Sequence, residues 1–254
     1  MLIIISPAKI LNLKSQKQSK IYTLPEFTDH SKILISELLK LKPNDIAELL
    51  DINFQLANLN FERYVKWNLP FTPKNSKQAI FTFNGEVYRG INIDRYTEKE
   101  LLYLQDNLRI LSGLYGILRP LDLMQPYRLE MGIPLENERG KNIYEFWGNI
   151  INDNINNLIK EKCYKYLINL ASAEYFKVVK ANKINAKIIN PFFMETRDAG
   201  YKTIVVYTKK ARGLMTSFII KNKITEAEEI KWFDLEGYNY NPSISDENNW
   251  GFTR

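Results

Sequence analysis

The chain has 254 residues, 45% apolar and 25% charged, with a net charge of +6 and a pI near 9.1. That balance supports a sizeable buried core and argues against disorder over most of the length. One cysteine, Cys163, and one histidine, His30, exclude an intrachain disulfide and leave too few ligands for a structural zinc site, so no metal and no cofactor are expected. A Ser-His-Asp triad would have to use His30, which stands between Asp29 and Ser31 at a predicted helix start and reads as a solvated first-turn residue. The basic charge permits nucleic acid or another polyanion as partner. A Lys-, Asn- and Ile-rich composition of the kind an AT-rich genome produces raises the pI equally well.

In chain order, Leu2–Ser6 reads as a buried strand, too short and too quickly followed by Pro7 and Lys9 to be a signal peptide. No window approaches the ~18 uncharged apolar residues of a membrane span, so no membrane is expected and the cytoplasm is the expected location. Residues 7–24 predict a long loop. Helices are predicted over Phe27–Leu41, Asp45–Leu50 and Phe54–Trp67, and a short strand over Ala79–Phe83. Thr97 and Glu100 form a capping box that opens a helix running to about Leu111. Residues 112–142 hold four Gly and three Pro and predict irregular structure.

Further on, Ile143, Trp147, Ile150, Ile151 and Leu158 share one helical face. Tyr166–Leu170 predicts a strand and Ser172 a helix start. Ile188–Met194 and Thr203–Tyr207 predict strands. Ala211, Leu214, Met215, Phe218 and Ile219 mark an amphipathic helix, with Lys209, Arg212, Thr216 and Lys223 on its opposite side. Thr225–Glu228 caps a last short helix. With no repeat and no Gly/Ser linker, one domain over 1–254 is expected. Its fold class is α/β or α+β around one mixed sheet.

Six segments could carry chemistry. Ser6-Pro7-Ala8-Lys9 delivers a hydroxyl and an ammonium at a strand exit, which suits an anion, although by itself it reads as a plain exit with a surface lysine. Asn84–Gly90 carries Glu86 and Arg89 beside a tight turn, either as site residues or as a solvated pair. Leu111–Pro120 contains a Gly-x-x-Gly turn, Gly113 to Gly116, that could offer amides to a phosphate or could equally be a helix C-cap. Arg109, Arg119 and Arg128, with Tyr115 and Tyr127 between them, have the composition of a nucleic-acid groove or of a solvated Pro-rich loop.

At Ser172, a strand end and a helix start present free amides, and Glu174 is either a general base or an acid complementing the helix dipole. Finally, six Lys/Arg and no acid lie between Ala199 and Thr225. Lys209, Lys210 and Arg212 on this stretch fit a phosphate-contacting helix.

These motifs together resemble the YaaA family of bacterial proteins (the DUF328/UPF0246 group). The resemblance covers essentially the whole chain. It rests on ISPAK at 5–9, NGEVYRG at 84–90, LSGLYGILRPLDLMQPYRLEMG at 111–132, YEFWG at 144–148, NLASAEYF at 169–176, KKARGLM at 209–215 and EGY at 236–238. It implies resistance to peroxide stress through limiting free iron and its damage. It also implies DNA binding, a mixed and curved sheet wrapped by helices, a positively charged cleft, and a helix-hairpin-helix-like element on LSGLYG. Two positions depart from the family pattern: Asn84 where Lys is common, and Ala173 where Asp is common.

Three functions follow for comparison. A DNA-binding stress protein would contact duplex or locally unpaired DNA through Ser6, Lys9, Arg119, Tyr127, Arg128, Ser172, Lys209, Lys210 and Arg212, with Gly113, Tyr115 and Gly116 in the turn. An enzyme acting on a nucleic-acid base or nucleotide would use the same anion sites, with Lys9, Glu174 or Tyr175 as acid/base groups. Direct iron storage would need clustered carboxylates, and no Glu-x-x-His pair is present.

Overall fold

The computed structural model describes residues 1–14, 19–198 and 200–254, so the expected loop over 7–24 lies partly outside the described residues. Eight strands form one mixed sheet. They are β1 Leu2–Ile5, β2 Leu108–Ser112, β3 Gly116–Leu118, β4 Tyr166–Leu170, β5 Lys187–Arg197, β6 Gly200–Lys202, β7 Asn239–Tyr240 and β8 Asn249–Thr253. Their order is β7-β8-β5-β4-β1-β2-β3, with β6 folded back on β5. β1 is fully buried, and its uninterrupted Leu-Ile-Ile-Ile run is what a strand covered on both faces requires. It pairs in parallel with β2 (Ile4 opposite Arg109) and with β4 (Ile4 opposite Asn169).

The helices flank this sheet. Between β1 and β2 lie α1 Thr28–Leu38, α2 Pro43–Leu50, α3 Phe54–Lys66, α4 Ala79–Thr82, α5 Glu86–Ile91 and α6 Glu98–Asn107. Before β4 come α7 Ile143–Trp147 and α8 Ile150–Lys162, divided at Gly148, whose φ of +50° ends the first. The short α9 Ala173–Phe176 joins β4 to β5, and α10 Val205–Lys221 follows β6. The Thr97 capping box is present: the Thr97 amide donates to Glu100 Oε2 at 2.7 Å and the Glu100 amide to Thr97 Oγ1 at 3.3 Å.

Several local expectations are corrected. The helix expected to reach Leu111 stops at Asn107, because 108–112 is recruited as the buried strand beside β1. Ala79–Thr82 is a helical turn rather than a strand. Thr203–Tyr207 was a β-branched candidate strand, yet α10 begins at Val205, with Val205 and Val206 exposed. Thr225 caps nothing; a 3₁₀ helix runs over Ala227–Trp232 without a side-chain cap. Thr216 faces inward rather than outward, because α10 is covered on two sides, by β5 and by α5 with α6.

That double cover rests on two glycines. A Cβ on Gly213 would stand 1.9 Å from the Val87 carbonyl oxygen, and one on Gly90 would stand 2.3 Å from the Lys210 carbonyl oxygen. The backbones of α5 and α10 therefore touch where side chains would hold them apart. Gly213→Ala is expected to destabilise the fold by about 1–3 kcal/mol through overpacking. Combined with Gly90→Ala, the cost should fall short of the sum, because both open one contact. Thermal melts of the two single variants and the double variant check this, and an unchanged melting temperature for Gly213→Ala would refute the contact.

Candidate functional site

The parallel strands place a cleft by their connections. From β1 the chain moves to β2 on one side; from β4 it moves to β5 and then β8 on the other. The switch in direction lies between β1 and β4, and crevices beyond the carboxyl ends of such a pair are where open α/β sheets bind ligands. Ser6 follows β1 and Ser172 follows β4. The Ser172 amide donates to Ser6 Oγ at 2.8 Å, and Ser6 Oγ donates to Ser172 Oγ at 3.3 Å, sealing the floor. Ser172 also caps α9 by accepting from the Tyr175 amide at 3.5 Å.

Above this floor is a cavity of about 420 Å³ built from five separated segments: 6–10, 84–89, 127–130, 172–175 and part of α10. Lys9, Arg89, Arg128, Lys209 and Arg212 line it, with Glu86, Glu130 and Glu174. The Gly90–Gly213 contact brings Lys209 and Arg212 over the cleft beside Glu86 and Arg89, which pair with each other. Glu130 is almost wholly buried. Its Oε1 accepts from Arg128 Nε and Nη2, both at 3.2 Å, and from Lys9 Nζ at 3.0 Å. Glu174 Oε1 accepts from the Gly132 amide at 3.2 Å. Among the described residues, the side chains of Lys209 and Arg212 have no hydrogen-bond or ion-pair partner, and Arg212 Nε is buried. Burial pulls the Arg212 pKa below its ordinary guanidinium value.

The residues proposed from sequence divide cleanly. Ser6, Lys9, Tyr127, Arg128, Ser172, Glu174, Tyr175, Lys209 and Arg212 all line this one cleft, although they lie far apart in the chain. Gly113, Tyr115, Gly116, Arg119 and Lys210 do not. The 113–116 stretch is the tip of the hairpin joining β2 and β3, not a turn between two helices. Its backbone is spoken for: Trp147 Nε1 donates to the Gly113 carbonyl at 2.9 Å, the Tyr115 amide donates to Ser112 Oγ at 2.9 Å, and the Trp147 ring covers Gly116. Tyr115 is fully buried, between Trp67 and Gln125. Arg119 pairs with Asp122 at 2.9 Å, and Lys210 pairs with Glu236.

Sequence reasoning passed over Glu130. It lies inside the Arg-Leu-Glu run that supplied Arg128, and a two-residue alternation puts both side chains on one side of an extended segment. Among the described residues, no three His, Cys, Asp or Glu side chains cluster as metal ligands, and no helix is long and apolar enough to cross a membrane.

Burial raises the phenols of Tyr88, Tyr127 and Tyr175 well above the ordinary value of 10.0. At neutral pH they are neutral donors and cannot serve as bases. Tyr127 shares a 2.6 Å hydrogen bond with Ser112, and Tyr88 donates to the Ser6 carbonyl at 3.0 Å. A folded pKa above the unfolded one contributes stability that is intact below pH 10.0 and is lost as the pH climbs towards the folded value. Alkaline titration by phenolate absorbance should therefore show these rings ionising only as the fold opens. Tyr127→Phe should reduce the amplitude of that late step; gradual ionisation of every tyrosine near the ordinary value would contradict it.

Comparison with known proteins bears on the whole of this arrangement. A UPF0246 protein of Colwellia psychrerythraea is 48% identical over 254 residues, covering 100% of this chain and 99% of that one. A UPF0246 protein of Cellvibrio japonicus is 46% identical, covering 100% and 98%. The family model described as "Peroxide stress protein YaaA" matches residues 1–244, and the chain belongs to that family.

Proposed function

We propose that the protein serves the cytoplasmic response to peroxide as a DNA-binding protein that helps limit iron-driven damage, and that it meets DNA at the cleft between β1 and β4. The observation that carries this reading is the pair Lys209 and Arg212. Two cations without a partner among the described residues face a cavity already lined by Lys9 and Arg128. Leaving the half-buried Arg212 charge uncompensated is costly unless an anion completes the site, and Lys209, exposed at the rim, adds to the attraction. Around the mouth, Ile10 and Val206 are exposed, offering apolar surface against which an unpaired base can pack.

Each phosphate neutralised releases counterions, so affinity falls with salt with a slope of about −0.9 per contact on duplex DNA. With about four contacts, raising salt from about 50 to 200 mM should weaken binding about a hundredfold. Replacing both Lys209 and Arg212 by Ala should lower the slope by about two. Fluorescence titrations of duplex and bubble DNA measure both quantities. An unchanged slope in the double variant would remove these residues from the interface.

A second reading, an enzyme acting on a nucleic-acid base or nucleotide, is favoured by one observation: Glu130 and Glu174 share the cleft with these cations. Chromatography of oligonucleotides and nucleotides after incubation would reveal a released or altered base. Turnover persisting in both Glu130→Gln and Glu174→Gln would deny the carboxylates that role.

A further inference from the structure

Two buried polar atoms in the cleft lack partners, and they are of opposite kind. Glu130 is 6% exposed. All three of its donors, two from Arg128 and one from Lys9, converge on Oε1, and Oε2 is buried with no donor at all. Arg212 Nε is buried with no acceptor. Unmade hydrogen bonds at buried charged groups are costly, and native proteins keep few of them. A ligand that answers both carries a hydrogen-bond donor, such as a base N–H, at one end and anionic oxygens at the other. Sulfate or a carboxylate lacks the donor; a simple amine lacks the anion.

The rest of the lining is largely apolar and aromatic. Tyr88, Tyr127 and Tyr175 line the cavity with Val87 and Leu129, which suits a planar ring. Its 420 Å³ falls within the roughly 300–1,000 Å³ of single-ligand cavities. A stacked duplex cannot enter such a space, whereas one base outside the stack can.

We propose that the cleft takes a single nucleoside monophosphate unit, its phosphate held by Arg212 and Lys209 and an N–H of its base edge held by Glu130 Oε2. This rests on the reading of the cleft as a nucleic-acid site and names the unit that enters it. The unit comes either as a free nucleotide or as an unstacked residue of a DNA strand, since the recognising chemistry is the same.

Calorimetry on the full chain tests this with deoxynucleoside 5′-monophosphates, deoxynucleosides, deoxyribose 5-phosphate and inorganic phosphate. A single-stranded oligonucleotide, its abasic counterpart and a duplex complete the set. The monophosphates should bind at least about tenfold more tightly than the nucleosides or deoxyribose 5-phosphate, as expected when charge-assisted hydrogen bonds are made at both ends. Glu130→Gln sets an amide beside the base edge and should weaken monophosphates and nucleosides alike, by about tenfold, without affecting deoxyribose 5-phosphate. Arg212→Lys keeps the charge but removes Nε, and should weaken the monophosphates and deoxyribose 5-phosphate while leaving the nucleosides unaffected.

If Glu130→Gln does not fold, Arg212→Lys and the comparison of intact with abasic strand decide. Binding of the single strand marks DNA as the source; binding of monophosphates without it marks free nucleotide; both support the proposal. It is overturned if monophosphates bind no better than deoxyribose 5-phosphate, or if a folded Glu130→Gln binds them within about twofold of the native protein. Duplex binding without nucleotide or single-strand binding would overturn this proposal and leave the DNA-binding reading standing. Nucleotide binding without any DNA binding would do the reverse.

Discussion

The backbone contact between α5 and α10 sets the geometry from which the cleft follows. Two helices normally sit 8–10 Å apart, held off by side chains. At Gly90 and Gly213 nothing holds them off, and a Cβ on either would collide with a carbonyl oxygen of the other helix. The consequence is electrostatic. α10 is drawn in towards the carboxyl ends of β1 and β4, so Arg212 is half-buried in the cleft and Lys209 lies exposed along its edge. Lys210, between them, turns to the opposite side and pairs with Glu236. The helix thus divides its basic run between a structural pair and an unsatisfied one.

The cleft is polarised by that division. On the 127–130 side, Arg128 and Lys9 are both balanced by one buried carboxylate. On the α10 side, no described carboxylate balances Lys209 or Arg212. The floor between them is neutral: two serine hydroxyls bonded to each other and phenols that burial keeps protonated. A low-dielectric floor strengthens the field from both ends, because charges interact more strongly away from bulk water. Of the two departures from the family pattern, Asn84 lies on the cleft wall while Ala173 does not line it, so only the first bears directly on this field.

Three of the eight strands of the sheet were legible in the sequence: Leu2–Ile5, Tyr166–Leu170 and the central part of Lys187–Arg197. Leu2–Ile5 and Tyr166–Leu170 read as strands from their apolar runs, and Ser172 as a cap from its position after one. Leu108–Ser112 was not legible. Apolar spacing carries a helix into it from α6, and only pairing with β1, more than 100 positions away by register, makes it a strand. The Gly-x-x-Gly turn misled for a related reason: its glycines serve contact with Trp147 and Leu129, which no local pattern reveals. The cleft residues were legible as separate anion-friendly segments. What joins them is topology, and topology is read from register, not from spacing. Glu130 escaped because a lone acid among arginines looks like a surface counter-charge; its role depends on burial.

β1 has one more consequence, in time rather than in space. It is the first strand in the chain, yet each of its partners lies more than 100 residues downstream: Leu108–Ile110 on one flank and Leu167–Leu170 on the other. At translation rates of about 5–20 residues per second, its Leu-Ile-Ile-Ile run waits on the order of ten seconds before the second partner exists. During that interval it is an unpaired apolar strand, the kind of segment that aggregates or recruits chaperones. A protein with a fully buried strand that is synthesised before both of its partners is most exposed to misassembly while it is being made.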